Sequence, residues 1–153
     1  MLGFVSKFES KLRELAIKLE RKEIERPFLC AFWFYAGCGL AFLFFPLNIA
    51  SAACAMLAIG DAASTLVGMR FGKHNILKNK TLEGSGAFFL TAFFISLIFV
   101  NPVLAFAGSV TATIAELIPG LSITQKLRKK HLIDDNFLIP ILAGFVMLLA
   151  ILF

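Results

Sequence analysis

The chain has 153 residues, 59% of them hydrophobic and only 16% charged, and its mean hydropathy is +0.85. An ordinary soluble domain is about 45–50% apolar and about 25% charged, so this composition excludes a disordered chain, a disulfide scaffold and an ordinary soluble globule. The formal net charge is +5, and where its 15 lysines and arginines fall matters more than their sum.

Residues 1–26 interleave charge with Phe4, Phe8, Leu12, Leu15 and Leu19 at steps of three and four. That period predicts an amphipathic helix lying at a membrane surface, with lysines among anionic headgroups. Its mixed charge is unlike a cleaved secretory leader. From residue 27 to 153 the chain reads as one five-helix transmembrane domain. The predicted spans are Phe28–Pro46, Ile49–Met69, Gly84–Val100, Val103–Pro119 and Phe137–Phe153, the first of them long enough for roughly 30 Å of hydrocarbon. The second is rich in Ala, Ser and Gly, which lets neighbouring helices approach closely and predicts a central place in the bundle. Cys30, Cys38 and Cys54 all lie in apolar runs without metal-ligand spacing and read as small packing residues.

Seven lysines and arginines precede the first span, four lie in loop 70–83 and four in loop 120–136. The turns at Pro46–Asn48 and at Asn101-Pro102 carry no charge. The positive-inside rule then puts the N-terminus and both basic loops in the cytoplasm, in a plasma or ER-type membrane. No nucleic-acid partner is expected.

Two carboxylates interrupt the apolar spans, Asp61 and Glu116. An ionisable group at membrane depth costs roughly 2.5–3.5 kcal/mol on insertion scales and marks a functional site. Gly60, Ser64 and Thr65 surround Asp61 at helical spacing, an oxygen-rich face that suits Mg²⁺. Arg70, Lys73, His74, Lys78 and Lys80 follow in one loop; Lys126, Arg128, Lys129, Lys130 and His131 lie in the other, ahead of Asp134-Asp135-Asn136. Cations beside carboxylates can hold a polyphosphate with its metal. The stretch Gly68-Met-Arg-Phe-Gly72-Lys73 is one residue short of a P-loop, has His74 in place of Ser/Thr, and follows a membrane helix rather than a strand.

Gly60-Asp61-Ala62-Ala63-Ser64, Val67-Gly68, Arg70-Phe71-Gly72-Lys73-His74 and Lys80-Thr81-Leu82-Glu83-Gly84-Ser85 together resemble the CTP-dependent polyprenol kinase family, which includes dolichol and phytol kinases and is related to phosphatidate cytidylyltransferase. Ala112-Thr113-Ile114-Ala115-Glu116 and Asp134-Asp135-Asn136-Phe137-Leu138-Ile139-Pro140 resemble its later motifs. The resemblance covers roughly residues 28–145. It implies transfer of the γ-phosphoryl group of CTP to an isoprenoid alcohol at the cytoplasmic face. Asp61, Glu116 and Asp135 would be catalytic, and Asp61, Glu116, Asp134 and Asp135 would hold Mg²⁺. Gly60, Ser64, Arg70, Lys73, His74, Lys80, Thr81, Glu83, Gly84 and Asn136 would shape the nucleotide site. Larger members carry further helices upstream, so completion of the site in a homodimer is a further expectation. The readings set against it are cytidylyl transfer to a lipid phosphate, a small transporter with Asp61 and Glu116 as its ion path, and a non-catalytic membrane subunit.

Overall fold

Residues that cannot continue a helix set where the helices of this chain begin. In the computed structural model, which describes residues 27–77, 80–118 and 134–152, the described residues form α1 (Pro27–Phe44), α2 (Leu47–Phe71), α3 (Leu82–Ser96), α4 (Pro102–Leu117) and α5 (Asp135–Leu152). Pro46, in extended conformation, breaks the chain between α1 and α2. Asn101 caps α4, its side chain accepting from the Leu104 N–H at 2.9 Å, with Pro102 as the first helical residue. Thr81 caps α3 by accepting from Gly84 N at 3.1 Å. Asp134 does the same for α5 through Asn136 N at 2.9 Å.

Each of the five segments expected to span is a helix, with bounds within a few residues of those expected and two differences. Arg70 stands in the last turn of α2 rather than in a loop, because the helix runs on to Phe71. The stretch after it contains a small antiparallel ladder, β1 (Asn75–Leu77) against β2 (Lys80–Thr81), where an all-helical chain was expected. Its register pairs Asn75 with Thr81 and Leu77 with Lys80. The amphipathic helix expected over 1–26 and the cations of 126–131 lie outside the described residues.

The helices pack through narrow seams of small side chains. On α2 the buried positions are Ile49, Ala50, Ala52, Ala53, Met56, Leu57, Gly60 and Ser64, a repeat of three and four that traces one face. Gly84, Ser85, Phe88, Ala92 and Ser96 form the matching face of α3. These two helices lie along each other, α4 lies along α5, and α1 packs on α5 and α2. Phe88, Met56 and Met147 fill the centre, fully buried. Large apolar side chains also point outward from every helix, among them Tyr35, Leu66, Phe94, Val103 and Leu152, each more than half exposed. Two helices, α2 with 25 residues and α5 with 18, are long and apolar enough to cross a membrane; the apolar helices at 31–44, 82–96 and 102–117 are shorter.

Gly84 shows what the α2–α3 seam demands. A Cβ there would stand 3.0 Å from the Ser64 carbonyl oxygen and 3.4 Å from the Gly68 Cα, backbone atoms that cannot swing aside. Gly86, two residues on, faces open space. Gly84→Ala is therefore expected to lower stability by about 1–3 kcal/mol through overpacking. Gly86→Ala should leave it unchanged or raise it by about 0.5–1 kcal/mol, because alanine is the better helix former. Thermal unfolding of the two purified variants tests the pair; equal melting temperatures would contradict the close approach.

Candidate functional site

Four separate stretches of the sequence meet at one end of the bundle, around Glu116. This side chain sits near the end of α4 with 0% of its surface exposed. Burying a carboxylate is costly unless it is paired and hydrogen-bonded. Here it is both. Ser64 Oγ, from α2, donates to Glu116 Oε1 at 2.8 Å. Ser85 Oγ, from α3, donates to Oε2 at 3.3 Å. Lys80 Nζ, from β2, donates to Oε1 at 2.7 Å and lies 3.7 Å from Asp135 Oδ2 at the start of α5.

Lys80 reaches this position because of the ladder. The β1–β2 pairing turns the chain back on itself after α2, and Thr81 then starts α3. Beside the cluster lies a small cleft of about 120 Å³, open to solvent and lined by Ser64, Thr65, Gly68, Met69, Lys80, Thr81 and Gly84. Its walls combine hydroxyls, close-packed glycines, the Met69 side chain and one ammonium.

A second, outer cluster holds the chain between α2 and the ladder. Glu83 Oε1 meets His74 Nδ1 at 2.7 Å, and its Oε2 accepts from the backbone N–H groups of Lys73 and His74 at 3.2 and 3.3 Å. The His74 ring, helped first by Glu83's own N–H and then by those of His74 and Lys73, holds the Glu83 carboxyl down at about 2. His74 itself is largely exposed.

The candidate residues thus divide. Ser64, Lys80, Thr81, Gly84, Glu116 and Asp135 come together at the cleft or directly behind it. Lys73, His74 and Glu83 form the outer cluster, where Lys73 contributes its backbone. Arg70 is exposed, its guanidinium 5.6 Å from the centre of its neighbour Phe71's ring. Gly60 is not among the residues that line the cleft. It is buried where a Cβ would stand 2.9 Å from the Phe88 ring, so its role is helix packing. Asp61 is half-buried one turn before Ser64. Asp134 precedes α5, and Asp135 and Asn136 open its first turn, with Asn136 N donating to Asp134 Oδ1 at 2.9 Å and Asp135 Oδ1 at 3.1 Å.

The four carboxylates expected to share Mg²⁺ do not form one ligand set. Among the described residues no three His, Cys, Asp or Glu side chains converge as metal ligands do. A carboxylate offers about four acceptor positions. Glu116 has three of them taken by its own chain. Sequence reasoning does not single out Ser85; its signal is its place four residues beyond the capping Thr81, on the face that carries Gly84 and Phe88.

No family model matches this sequence, and no solved structure matches it. It is similar to an uncharacterized protein of Rickettsia prowazekii (strain Madrid E), 29% identical over 140 residues, which is 90% of this chain and 64% of that protein. The chain therefore spans a little under two thirds of the length of the relative it matches.

Two predictions follow from the charges. Lys80→Met leaves Glu116 buried without its cation, and breaking a buried pair from one side typically costs about 3–5 kcal/mol. Lys80→Met with Glu116→Gln removes both charges and should recover most of that loss, since Ser64 and Ser85 keep a partner. Chemical unfolding of the single and double variants measures the difference; a double variant no more stable than Lys80→Met would refute the pairing.

The second concerns pH. Burial, then the charge of Asp135, pushes Asp134 up to about 6 from an ordinary 3.8, against the opposing Asn136 N–H. The folded state then holds a proton that the unfolded chain has released between those two values. Stability from this group is complete below about pH 4 and lost as pH rises through about 6. Asp134→Asn keeps a capping oxygen and cannot ionise. Its melting temperature relative to wild type should climb between pH 4 and 7, whereas a constant difference would exclude the titration.

Proposed function

We propose that this chain is a membrane-embedded phosphotransferase that moves the γ-phosphoryl group of CTP to the hydroxyl of a polyprenol- or dolichol-like lipid alcohol. The observation that carries the reading is convergence. Stretches on which the polyprenol-kinase resemblance rests lie far apart in sequence, yet Ser64, Lys80, Thr81, Gly84, Glu116 and Asp135 gather at one end of the bundle. A packing-only role for these residues would not require a solvent-connected cleft beside them.

In this reading all five helices span the membrane, with the N-terminus, the ladder and the start of α5 on the cytoplasmic side. The apolar turn Leu97–Val100 extends the short α3 and α4 on the opposite side, where no charge occurs. The nucleotide enters from water at the cleft and the lipid from between helices, so that water is excluded from one side of the reacting pair. The hydroxyl oxygen attacks the γ-phosphorus, the bond to the β–γ bridging oxygen breaks, and CDP leaves. Phosphoryl transfer asks mainly for positioning and neutralisation of charge on the phosphate oxygens. Lys80 and the first turn of α3 supply both. We assign the hydroxyl proton to Asp61, on the same helix as Ser64. Magnesium enters as part of the Mg-CTP substrate.

The test is one incubation of purified protein with CTP labelled at its γ-phosphorus, Mg²⁺, and a panel of lipid alcohols and lipid phosphates. The expected result is label in the lipid fraction, CDP in the aqueous one, and poor transfer from ATP. Pyrophosphate release with a CDP-lipid would replace the reading with cytidylyl transfer. No turnover, together with no thermal stabilisation by CTP, would leave a non-catalytic membrane protein.

A further inference from the structure

The resemblance leads one to expect Glu116 at the metal or the reacting atoms, and its surroundings point elsewhere. We infer that Glu116 is a positioning residue: it holds the Lys80 ammonium at the wall of the cleft, where that ammonium meets a phosphate of an anionic ligand. The inference deepens the function proposed above and rests on it for the identity of the ligand.

Three observations carry it. Glu116 is fully buried, while Lys80 lies on the cleft wall with 14% of its side chain exposed. The lysine, not the carboxylate, is therefore the group a ligand in the cleft can reach. The carboxylate is also clamped from two further helices, by Ser64 on one oxygen and Ser85 on the other. Two hydroxyls from α2 and α3 fix its plane, so Oε1 presents one direction to Lys80. Finally, an ammonium has three donors. One is spent on Glu116 at 2.7 Å, Asp135 at 3.7 Å is too far for a full hydrogen bond, and the remaining capacity is available to the cleft. A long, flexible lysine held by one charge-assisted bond loses less freedom when it meets a phosphate. Glu116 acts on the ligand only through Lys80.

The experiment uses the full chain in detergent micelles and reads Lys80 directly. Acetic anhydride acylates accessible amines, and peptide mass spectrometry compares Lys80 with exposed Lys73. Lys80 should react much more slowly than Lys73 in the wild type. In Glu116→Gln its rate should rise about tenfold, as expected for loss of one hydrogen bond between charged groups, with Lys73 unchanged. Sodium tripolyphosphate, added without Mg²⁺, should protect Lys80. The concentration for half-protection should rise about tenfold in Glu116→Gln. Ser64→Ala and Ser85→Ala leave both charges in place and should move both readouts the same way, by about threefold. They carry the test if Glu116→Gln does not fold.

If transfer from CTP is observed, Glu116→Gln should raise KM for CTP and leave kcat within a few fold, which a purely structural role would not separate. Lys80 reactivity unchanged in these variants would overturn the inference. So would protection by tripolyphosphate at the same concentration in all of them, or a shift in the Mg²⁺ requirement of Glu116→Gln without a change at Lys80. The acylation and tripolyphosphate arms need no turnover. Their success with failed CTP transfer would sink the enzymatic reading alone, and their failure with intact transfer would sink the positioning role alone.

Discussion

A carboxylate with no exposed surface has to be answered by its own chain, and Glu116 is answered from three directions at once. Lys80 provides the charge, and Ser64 and Ser85 provide the remaining hydrogen bonds. The low local dielectric that strengthens these bonds also makes any gap in them expensive. The network therefore fixes the relative positions of α2, α3 and α4 at one end of the bundle. It also fixes the ladder, because Lys80 cannot reach Glu116 unless β2 returns beside β1. A buried pair of this kind gives little net stability compared with apolar side chains of the same size. Its value lies in specifying one arrangement of the elements around the cleft.

That arrangement depends in turn on how closely α2 and α3 approach. Ser64 and Ser85 have short side chains, and two serines from different helices reach one carboxylate only if the backbones nearly touch. Gly84 permits this by resting against the Ser64 carbonyl and the Gly68 Cα, and Gly60 permits it further along by receiving the Phe88 ring. Small residues in the seam and polar residues at its end are thus two parts of one design. In an apolar surrounding no hydrophobic force drives helix against helix, so close contact and interhelical hydrogen bonds must do so.

Much of this was legible in the residues. Pro46, Asn101 and Pro102 announce helix ends by backbone chemistry that needs no tertiary context, and the helices between them came out within a few residues of the expected bounds. Glu116 stood out because a carboxylate in an apolar run demands an explanation, and Lys80, Thr81 and Gly84 stood out through a family likeness. The pairing of Lys80 with Glu116 was not legible. Thirty-six positions separate them, and nothing local says which of several lysines turns inward. The ladder was missed because strands of three and two residues are too short to show alternation. Arg70 was read as loop because a cation was taken to end the apolar helix, although a basic residue in a last turn is favoured by the helix dipole. Gly60 was assigned to a ligand, since in sequence a glycine that admits a phosphate and one that admits a phenyl ring look the same.

The charged end of the molecule is built in two layers with different physics. In the inner layer Lys80 and Glu116 are shielded from water, so their attraction is little screened by salt. In the outer layer His74 and Glu83 meet at the surface, where the same distance is worth far less. Glu83 nonetheless gathers two backbone N–H groups along with the His74 ring, which ties the chain leaving α2 to the first turn of α3. The outer layer therefore closes the ladder's base by geometry, and the inner layer anchors its far strand by charge. Between the two anchors β2 carries Lys80 inward while Thr81 starts a helix, so the strand can move neither along the cleft nor away from it without breaking one of them. A short ladder of five residues has no hydrophobic core of its own. Its persistence at the mouth of the cleft follows from being held at both ends.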